Sequence, residues 1–217
     1  TQVTVVEAAP RVLPASDEDV SAFARQAMAK DGIRFLTDAT LVVGQVQADG
    51  VQLMVEQKGR SLQLQAERVL VAVGLAGNSE GLGLEHTRVV VERGLIQVAD
   101  WGVTAEPGIH AIGDITGAPM LAHKASHEGI AAVEHIAGLR SGAQHHAPIP
   151  SCVYSHPQSA GVGLTESQAR QTGAQLRVGK FPLEANGKAI AIDEAAGFIK
   201  TVFDAGTGEL LGAHLVG

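Results

Sequence analysis

The chain opens with a strand, a helix and a second strand, and this order restricts the fold more than any other feature. Residues 2–7 are apolar and β-branched, which is typical of a buried parallel strand. A helix is predicted next, with Ser16 as its N-cap, and the Lys-Asp-Gly sequence at 30–32 ends it. Residues 33–36 predict a second strand. Because neighbouring parallel strands need a crossover between them, the pattern indicates an α/β fold.

The remainder of the chain predicts further strands, first in a meander and later in an antiparallel sheet. An alternating pattern on both sides of Lys58-Gly59 predicts a hairpin. The strands predicted in the first region are 39–46, 51–57, 61–65 and a buried strand at 68–74. The antiparallel strands are predicted at 151–154, 175–181, 198–204 and 210–216. Between them, residues 165–172 predict a short helix, with Thr165 and Gln168 as a capping box.

Composition argues against several classes of protein. The net charge is −7 and the basic residues are scattered, so neither nucleic acid nor an anionic membrane is expected as a partner. No apolar run approaches the length of a membrane span, no signal peptide opens the chain, and one cysteine excludes an internal disulfide framework. We therefore expect a cytoplasmic protein, or one of an organelle matrix such as the mitochondrial matrix. Because the chain starts within one strand and stops just after another, we expect it to be part of a longer protein.

A glycine and an acid in the middle of the chain indicate a binding site. Residues 109–112 predict a buried strand, which ends on Gly113 and Asp114 and is followed by a short loop and a helix that ends near Gly138. A glycine at the carboxyl end of a parallel strand lets a ligand approach the backbone. The aspartate can accept hydrogen bonds from sugar or polyol hydroxyls, and the N–H groups at a helix start can face an electron-rich group. The arrangement is suited to holding a dinucleotide.

The same region resembles a known family. The two segments read Pro-Gly-Ile-His-Ala-Ile-Gly-Asp-Ile at 107–115 and Pro-Met-Leu-Ala-His-Lys-Ala-Ser-His-Glu-Gly at 119–129. They closely resemble the flavin-contacting segment of the dihydrolipoamide dehydrogenases, a branch of the class I pyridine nucleotide-disulfide oxidoreductases. The resemblance covers nearly the whole chain, but only a middle-to-late portion of the family's sequence. It implies part of a flavoprotein with two Rossmann-like, three-layer dinucleotide-binding domains, plus the start of an α+β dimerisation domain.

The resemblance also implies a division into domains. Residues 1–80 would be the later part of the NAD-binding domain with its β-meander. Residues 81–149 would be a returning segment of the FAD domain, and residues 150–217 the first part of the interface domain. No internal repeat is found.

Three residues are candidate contacts of NAD. An acid such as Glu7, at the end of a dinucleotide-fold strand, can accept hydrogen bonds from the adenosine ribose and repel the extra phosphate of NADP. A surface glutamate that merely ends a strand is the alternative. The resemblance favours NAD, places Gly74 against the dinucleotide and places Leu41 near the adenine, although an ordinary core position is the favoured interpretation of Leu41. Leu75 and Gly77 depart from the arginine and proline common in relatives.

The candidate contacts of FAD follow from the same resemblance. Asp114 would hydrogen-bond the ribityl chain of the flavin, unless it is a buried acid that only caps the next helix. Four residues would border the flavin mainly through backbone groups: Met120, Leu121, Ala122 and His123. His123 and His127 share a helix face and offer two zinc ligands, but the pattern lacks a third, so no metal is predicted.

Other residues are interpreted as structural. Cys152, the only thiol, lies in a predicted strand and is interpreted as a small core residue rather than a nucleophile. His145 and His146 lie in an exposed linker predicted at 140–146 and are interpreted as solvated.

The resemblance implies a reaction: FAD-dependent oxidation of dihydrolipoamide to lipoamide with reduction of NAD+. A redox-active cysteine pair and a histidine–glutamate base would perform the thiol chemistry, and neither is in this sequence, so no catalytic residue is assigned and the 217 residues alone are expected to be inactive. The implied partners are the lipoyl domain of the acyltransferase component of a 2-oxo acid dehydrogenase complex and a second copy of the protein in a homodimer. The alternatives are another flavoprotein disulfide reductase, of the glutathione or mercuric type, and a non-catalytic nucleotide-binding module.

Overall fold

The computed structural model describes residues 1–142 and 148–217. The first elements in the chain are β1 (Thr4–Val6), α1 (Glu18–Lys30), β2 (Arg34–Leu36), β3 (Ala39–Gln47), β4 (Gly50–Gln57) and β5 (Arg60–Ala66). They are followed by β6 (Val91–Glu92), β7 (Leu95–Ile96) and α2 (Ala122–Ile136). The last are β8 (Ser151–Val153), β9 (Ser159–Gly163), α3 (Glu166–Gln171), β10 (Leu176–Pro182), α4 (Gly187–Ala191), β11 (Phe198–Asp204) and β12 (Leu210–Val216). Short 3-10 helices lie at Leu84–His86, Asp100–Gly102, Gly113–Thr116 and Leu183–Ala185.

The chain folds into two compact units. One contains residues 1–70 together with 150–217, and the other contains residues 71–149.

The predicted strand–helix–strand opening is confirmed. β1 and β2 pair in parallel, with Thr4 opposite Arg34. The N-cap of α1 is Asp17 rather than Ser16, since the Asp17 side chain accepts a hydrogen bond of 3.1 Å from the backbone N–H of Asp19. Helix α1 ends where predicted, because Gly32 follows its C-cap with a φ of 93°.

The meander is also confirmed. β3, β4 and β5 form a three-stranded antiparallel sheet in that order. Its buried side, with Ala39 and Val55, packs with Leu36 of β2, and Val6, Leu62 and Leu64 surround this cluster. Burial of these branched side chains removes apolar area from water and holds the meander against the β–α–β unit.

The last third of the chain forms a five-stranded antiparallel sheet with the order β10-β11-β12-β9-β8. Phe198 of β11 and Val216 of β12 pack against Val20 of α1, and the rings of Phe23 and Phe198 meet edge-on at 5.9 Å. The predicted capping box is present, since Thr165 and Gln168 satisfy each other's backbone N–H groups at the start of α3. β9 and α4 had no sequence prediction: β9 is a run of small residues, and α4 depends on the side chain of Asn186 as its cap.

Two buried strands predicted from the sequence are wrong. Residues 68–74 form no strand, and Leu70 and Val73 are 91% and 94% exposed. Residues 109–112 form no strand either, and His110 makes only an isolated antiparallel bridge with Val103. Both segments have a suitable composition, but a strand requires a neighbour to complete its hydrogen-bond ladder, and none of the described strands pairs with either segment.

The unit of residues 71–149 has a small core of its own. Val89, Ile96 and Ala111 form its buried cluster, with Ile109 and Ile115 packed around them. Helix α2 ends at Ile136 and Gly138 follows it with a φ of 74°, as the sequence predicts. Across residues 1–142 and 148–217, none of the helices combines the length and the apolar character required to span a bilayer.

Candidate functional site

The carboxylate of Glu7 lies directly after β1, at the junction with the meander. The Glu7 N–H donates to the carbonyl of Leu36 at 2.9 Å, and its carbonyl accepts from the N–H of Ala39 at 3.0 Å. One carboxylate oxygen accepts a 2.8 Å hydrogen bond from the N–H of Ala9, and the side chain is half-buried. The backbone hydrogen bonds and this side-chain bond fix the position of the carboxylate. An acid that accepts hydrogen bonds from ribose hydroxyls needs such a fixed position.

Arg11 is the basic residue nearest to Glu7 in sequence, and its guanidinium contacts nearby residues of the chain. Its guanidinium pairs with Glu18 at 3.1 Å and donates to the carbonyls of Pro14 and Ser16. These contacts hold the charge of Arg11 on the segment that leads into α1. A phosphate next to Glu7 would therefore meet a carboxylate and would need to draw Arg11 out of three contacts.

Leu41 and Gly74, the other two candidate NAD contacts, are both exposed. Leu41 is 49% exposed at an irregularity in the pairing of β3 with β4, so its interpretation as a core residue is wrong. Gly74 has a φ of 131°, and no heavy atom lies within 4 Å of the position that a Cβ would take. An exposed apolar side chain and an open glycine leave room for a ligand, and their role in binding stays a prediction.

The loop after residue 112 is a tight turn of 3-10 helix, Gly113–Thr116. Gly113 has a φ of 76°, and a Cβ there would lie 3.0 Å from the Cβ of Ala125 on α2. Asp114 is exposed, so the alternative in which it is a buried capping acid is wrong. An exposed carboxylate held on a fixed turn is available to accept hydrogen bonds from hydroxyl groups outside this chain.

Helix α2 follows this turn with an open first turn. Its N-cap, Leu121, provides no side-chain hydrogen bond, and its first turn contains no acidic residue. Met120 and Leu121 are half-buried, and Ala122 and His123 are exposed. The partial positive charge at this helix end thus has no carboxylate of the helix beside it, which suits an electron-rich group. The carboxylate of Asp114 and this helix start fit a flavin nucleotide, which carries a polyol chain and a ring system whose carbonyl and nitrogen atoms accept hydrogen bonds.

Two charged residues of α2, for which the sequence predicted no role, hold the turn in place. Lys124 is 8% exposed and its Nζ lies 3.1 Å from Oε1 of Glu128, one helical turn further along α2. Oε2 of Glu128 accepts a 2.7 Å hydrogen bond from the N–H of Gly113. The i, i+4 spacing of Lys124 and Glu128 was the only sequence signal for this ion pair. Such pairs usually lie on solvated helix faces, so the spacing does not predict a buried lysine.

A second ion cluster, in the other unit, was also missed. The carboxylate of Asp17 is 1% exposed and accepts from Lys200 Nζ at 2.8 Å and from the N–H of Glu166 at 3.1 Å. Burial alone would raise the pKa of Asp17, but the hydrogen bond from Lys200 and that backbone N–H outweigh it and lower the pKa below its usual value. The hydrogen bond from Lys200, followed by that from Arg170, lowers the pKa of Glu166. Burial lowers the pKa of Lys200, yet the bonds to Asp17, Glu166 and Asp19 outweigh it and raise the pKa overall.

The cysteine and two of the candidate histidines are exposed. Cys152 is exposed on β8, so its interpretation as a core residue is wrong. His123 and His127 are exposed on α2, and no group of three or more potential metal ligands occurs among residues 1–142 and 148–217. His145 and His146 lie outside the described residues.

Comparison with protein families assigns the class. Residues 1–129 match the family described as pyridine nucleotide-disulphide oxidoreductase, and residues 149–217 match the dimerisation domain of that family. The chain therefore belongs to the pyridine nucleotide-disulphide oxidoreductases. The expected mixed α/β fold with the start of a dimerisation domain is confirmed.

Within this family the chain is similar in sequence to proteins named dihydrolipoyl dehydrogenase. It is 46% identical to that of Rhizobium etli over 99% of the chain and 42% identical to that of Bacillus subtilis over 100% of it. These alignments cover 45% and 46% of the two relatives, so the chain spans about half the length of the curated relatives it matches. The resemblance predicted from the segments around Asp114 is thereby confirmed.

Solved structures agree. The copper(II) complex of the HOCl-induced flavoprotein disulfide reductase RclA from Escherichia coli superimposes with a TM-score of 0.89 at 27% identity, covering 100% of this chain and 48% of that one. LpdA from Mycobacterium tuberculosis superimposes with a TM-score of 0.86 at 28% identity, covering 100% of this chain and 47% of that one.

Proposed function

We propose that the protein carrying this chain is a dihydrolipoamide dehydrogenase, which oxidises dihydrolipoamide to lipoamide and reduces NAD+. The observation that supports this most strongly is the identity of 42–46% to dihydrolipoyl dehydrogenases of two bacteria along the length of the chain. Identity to the flavoprotein disulfide reductase RclA, by contrast, is 27%. The difference favours the lipoamide branch over another reductase of the same fold.

In this proposal the chain supplies binding groups rather than the reacting sulfur atoms. Glu7 would accept hydrogen bonds from the adenosine ribose of NAD, with Leu41 and Gly74 beside the dinucleotide. Asp114 would hold the ribityl hydroxyls of FAD, and residues 120–123 would border its ring. When bound, FAD accepts an electron pair from the dithiol side and delivers a hydride to NAD+.

The preference for NAD over NADP has a direct electrostatic reason. The carboxylate of Glu7 would lie where the 2′-phosphate of NADP must be placed, and like charges at that distance repel. Arg11, the nearest cation in sequence that could neutralise the phosphate, is already paired with Glu18. We expect NADH to bind more tightly than NADPH for both reasons.

The dithiol chemistry requires two sulfur atoms that form a disulfide, and these 217 residues contain one cysteine. The 217-residue polypeptide by itself is thus expected not to turn over dihydrolipoamide. The match of residues 149–217 to a dimerisation domain supports a homodimer as the working form. We further propose the lipoyl domain of the acyltransferase in a 2-oxo acid dehydrogenase complex as the partner, and the cytoplasm, or the mitochondrial matrix in a eukaryote, as the location.

The test is a comparison of substrates with the full-length protein. We expect the yellow spectrum of a bound flavin, bleaching on addition of dihydrolipoamide, and NADH formation when NAD+ is present. Faster reduction of glutathione disulfide or of Hg(II) with NADPH would identify one of the alternative reductases. A protein without flavin that binds neither NADH nor NADPH would overturn the proposal in favour of a non-catalytic module.

A further inference from the structure

Lys124 is a buried cation whose acceptors belong mostly to another segment. Its Nζ donates to the carbonyl of Gly117 at 3.2 Å, to the carbonyl of Gly113 at 3.3 Å and to Oγ1 of Thr116 at 3.5 Å. All three acceptors lie at the two ends of the turn that carries Asp114. The ammonium group therefore draws both ends of the turn toward α2.

Glu128 completes this attachment from the same helix. It binds the ammonium group of Lys124 with one oxygen and the N–H of Gly113 with the other, at 3.1 and 2.7 Å. Gly113 thus has its N–H and its carbonyl held by two side chains of α2. Gly113 and Gly117 are buried while Asp114, between them, is exposed, so the attached turn presents this one carboxylate outward.

A buried lysine is expensive to desolvate, and a surface i, i+4 pair would stabilise the helix without that cost. The burial of Lys124 is instead explained by the turn that Lys124 and Glu128 orient. We propose that Lys124 and Glu128 are positioning residues: they hold the Gly113–Gly117 turn so that Asp114 receives the ribityl hydroxyls of FAD. This inference rests on the proposed flavin function and assigns to the pair a part in cofactor retention.

If the Lys124–Glu128 pair only stabilised the fold, its loss would affect stability and FAD binding together. A double variant separates the loss of stability from the loss of FAD binding. In K124M the carboxylate of Glu128 loses its partner, so the protein loses stability as well as turn attachment. In K124M/E128L no charge is left unpaired, and replacement of a buried ion pair by apolar side chains restores stability. The turn nevertheless stays detached from α2 in the double variant. S126A is the matched control, because Ser126 lies on the same helix and donates to the carbonyl of Ala122 within that helix rather than to the turn.

The experiment measures the FAD dissociation constant, the visible spectrum of the bound flavin and the thermal midpoint of the full-length protein and its variants. We expect K124M/E128L to unfold near the wild-type temperature but to bind FAD about 10- to 100-fold more weakly, the loss typical of removing hydrogen bonds that involve charged groups. S126A should match the wild type in both measurements, and NADH affinity should be unchanged in all variants.

The outcomes are separable. A double variant that binds FAD as tightly as the wild type overturns the positioning role and leaves the proposed function intact. Should the double variant not fold, K124M decides: it removes all three hydrogen bonds from Nζ to the turn, so unchanged FAD affinity in K124M also overturns the role. A wild-type protein that binds no FAD refutes the proposed function itself, and the inference with it.

Discussion

Nζ of Lys200 lies 2.8 Å from Oδ1 of Asp17, although the two residues are 183 positions apart in the chain. The pair joins the start of α1 to the middle of β11, and both side chains are almost completely buried. Glu166, the first residue of α3, adds its own carboxylate at 2.8 Å from the same ammonium group. One lysine thereby ties three elements together, so a substitution of Lys200 weakens the contacts of all three.

The first prediction concerns Lys200 itself. In K200M the carboxylate of Asp17 stays buried without its cation, so we expect a loss of about 3–5 kcal/mol in the free energy of unfolding. Urea unfolding followed by circular dichroism measures this. K180M is the matched control: Lys180 also contacts Asp19, at 3.4 Å, but its side chain is 48% exposed, and such pairs contribute about 1 kcal/mol or less. Equal losses in the free energy of unfolding of K200M and K180M would show that the buried Asp17–Lys200 pair stabilises the fold no more than an exposed pair does.

The second prediction concerns acid pH. Asp17 and Glu166 have pKa values lowered from the ordinary 3.8 and 4.5, so the folded state binds fewer protons than the unfolded state. Their contribution to stability is full above these ordinary values and is lost as the pH falls through the lower pKa values of the folded state. Lys200 has a raised pKa, so its contribution is present at neutral pH and lost only in strong alkali. We expect the free energy of unfolding to fall steeply below about pH 4, and less steeply in K200M. The same acid slope in both proteins would contradict this assignment.

The pair also shows what could be predicted from the sequence. The strands β10, β11 and β12 and the capping box of α3 were predicted well, because each depends on residues a few positions apart. Asp17 was not singled out from the sequence, since nothing local indicates that a lysine near residue 200 covers it. The failed strands at 68–74 and 109–112 have the same cause. Their residues have the composition of a strand, but a strand also needs a neighbouring strand to complete its hydrogen-bond ladder. Composition does not identify that neighbour.

In the candidate site, too, features that depend on neighbouring residues were predicted from the sequence, and features that depend on contacts between distant residues were not. The Gly113-Asp114 element and the helix after it were recognised from their order, and the family was identified from them. The exposure of Asp114, however, depends on the attachment of Gly113 to Glu128, 15 positions away. Leu41 was misjudged as core, because its composition is that of a buried strand while every residue of β3 after Ala39 is exposed.

The third prediction concerns the turn at Gly113. In G113A the new methyl group would meet Ala125 at 3.0 Å on a backbone with a φ of 76°, so the turn must move away from α2. We expect FAD affinity to fall about tenfold or more, measured by titration of the apoprotein. G108A is the control, since Gly108 has a similar φ of 84° with no heavy atom within 4 Å of the added carbon. Similar effects in both variants would mean that backbone strain, rather than contact with Ala125, is responsible.

The fourth prediction concerns the capping box of α3. T165A removes the hydroxyl that accepts from the N–H of Gln168 at 3.2 Å, and we expect a loss of about 1 kcal/mol in the free energy of unfolding. S167A changes a serine of the same helix outside the box and should be neutral or slightly stabilising, because alanine favours helix. Since α3 also carries Glu166, the loss in T165A should shrink in a K200M background. Strict additivity of the two variants would show that the cap and the ion cluster act independently.

The last prediction concerns the choice between NADH and NADPH. E7Q keeps an oxygen for the N–H of Ala9, which lies 2.8 Å from the wild-type carboxylate, and removes only the charge. We expect NADH to bind about 10-fold more weakly, since a hydrogen bond to a charged acceptor becomes a neutral one, while NADPH binds more tightly because the repulsion is gone. The ratio of the two dissociation constants is the measurement, and E56Q, a change at an exposed acid on β4, is the control. A ratio that stays at the wild-type value in E7Q would remove Glu7 from the nucleotide site, and the preference would then have to come from residues other than the acid at the end of β1.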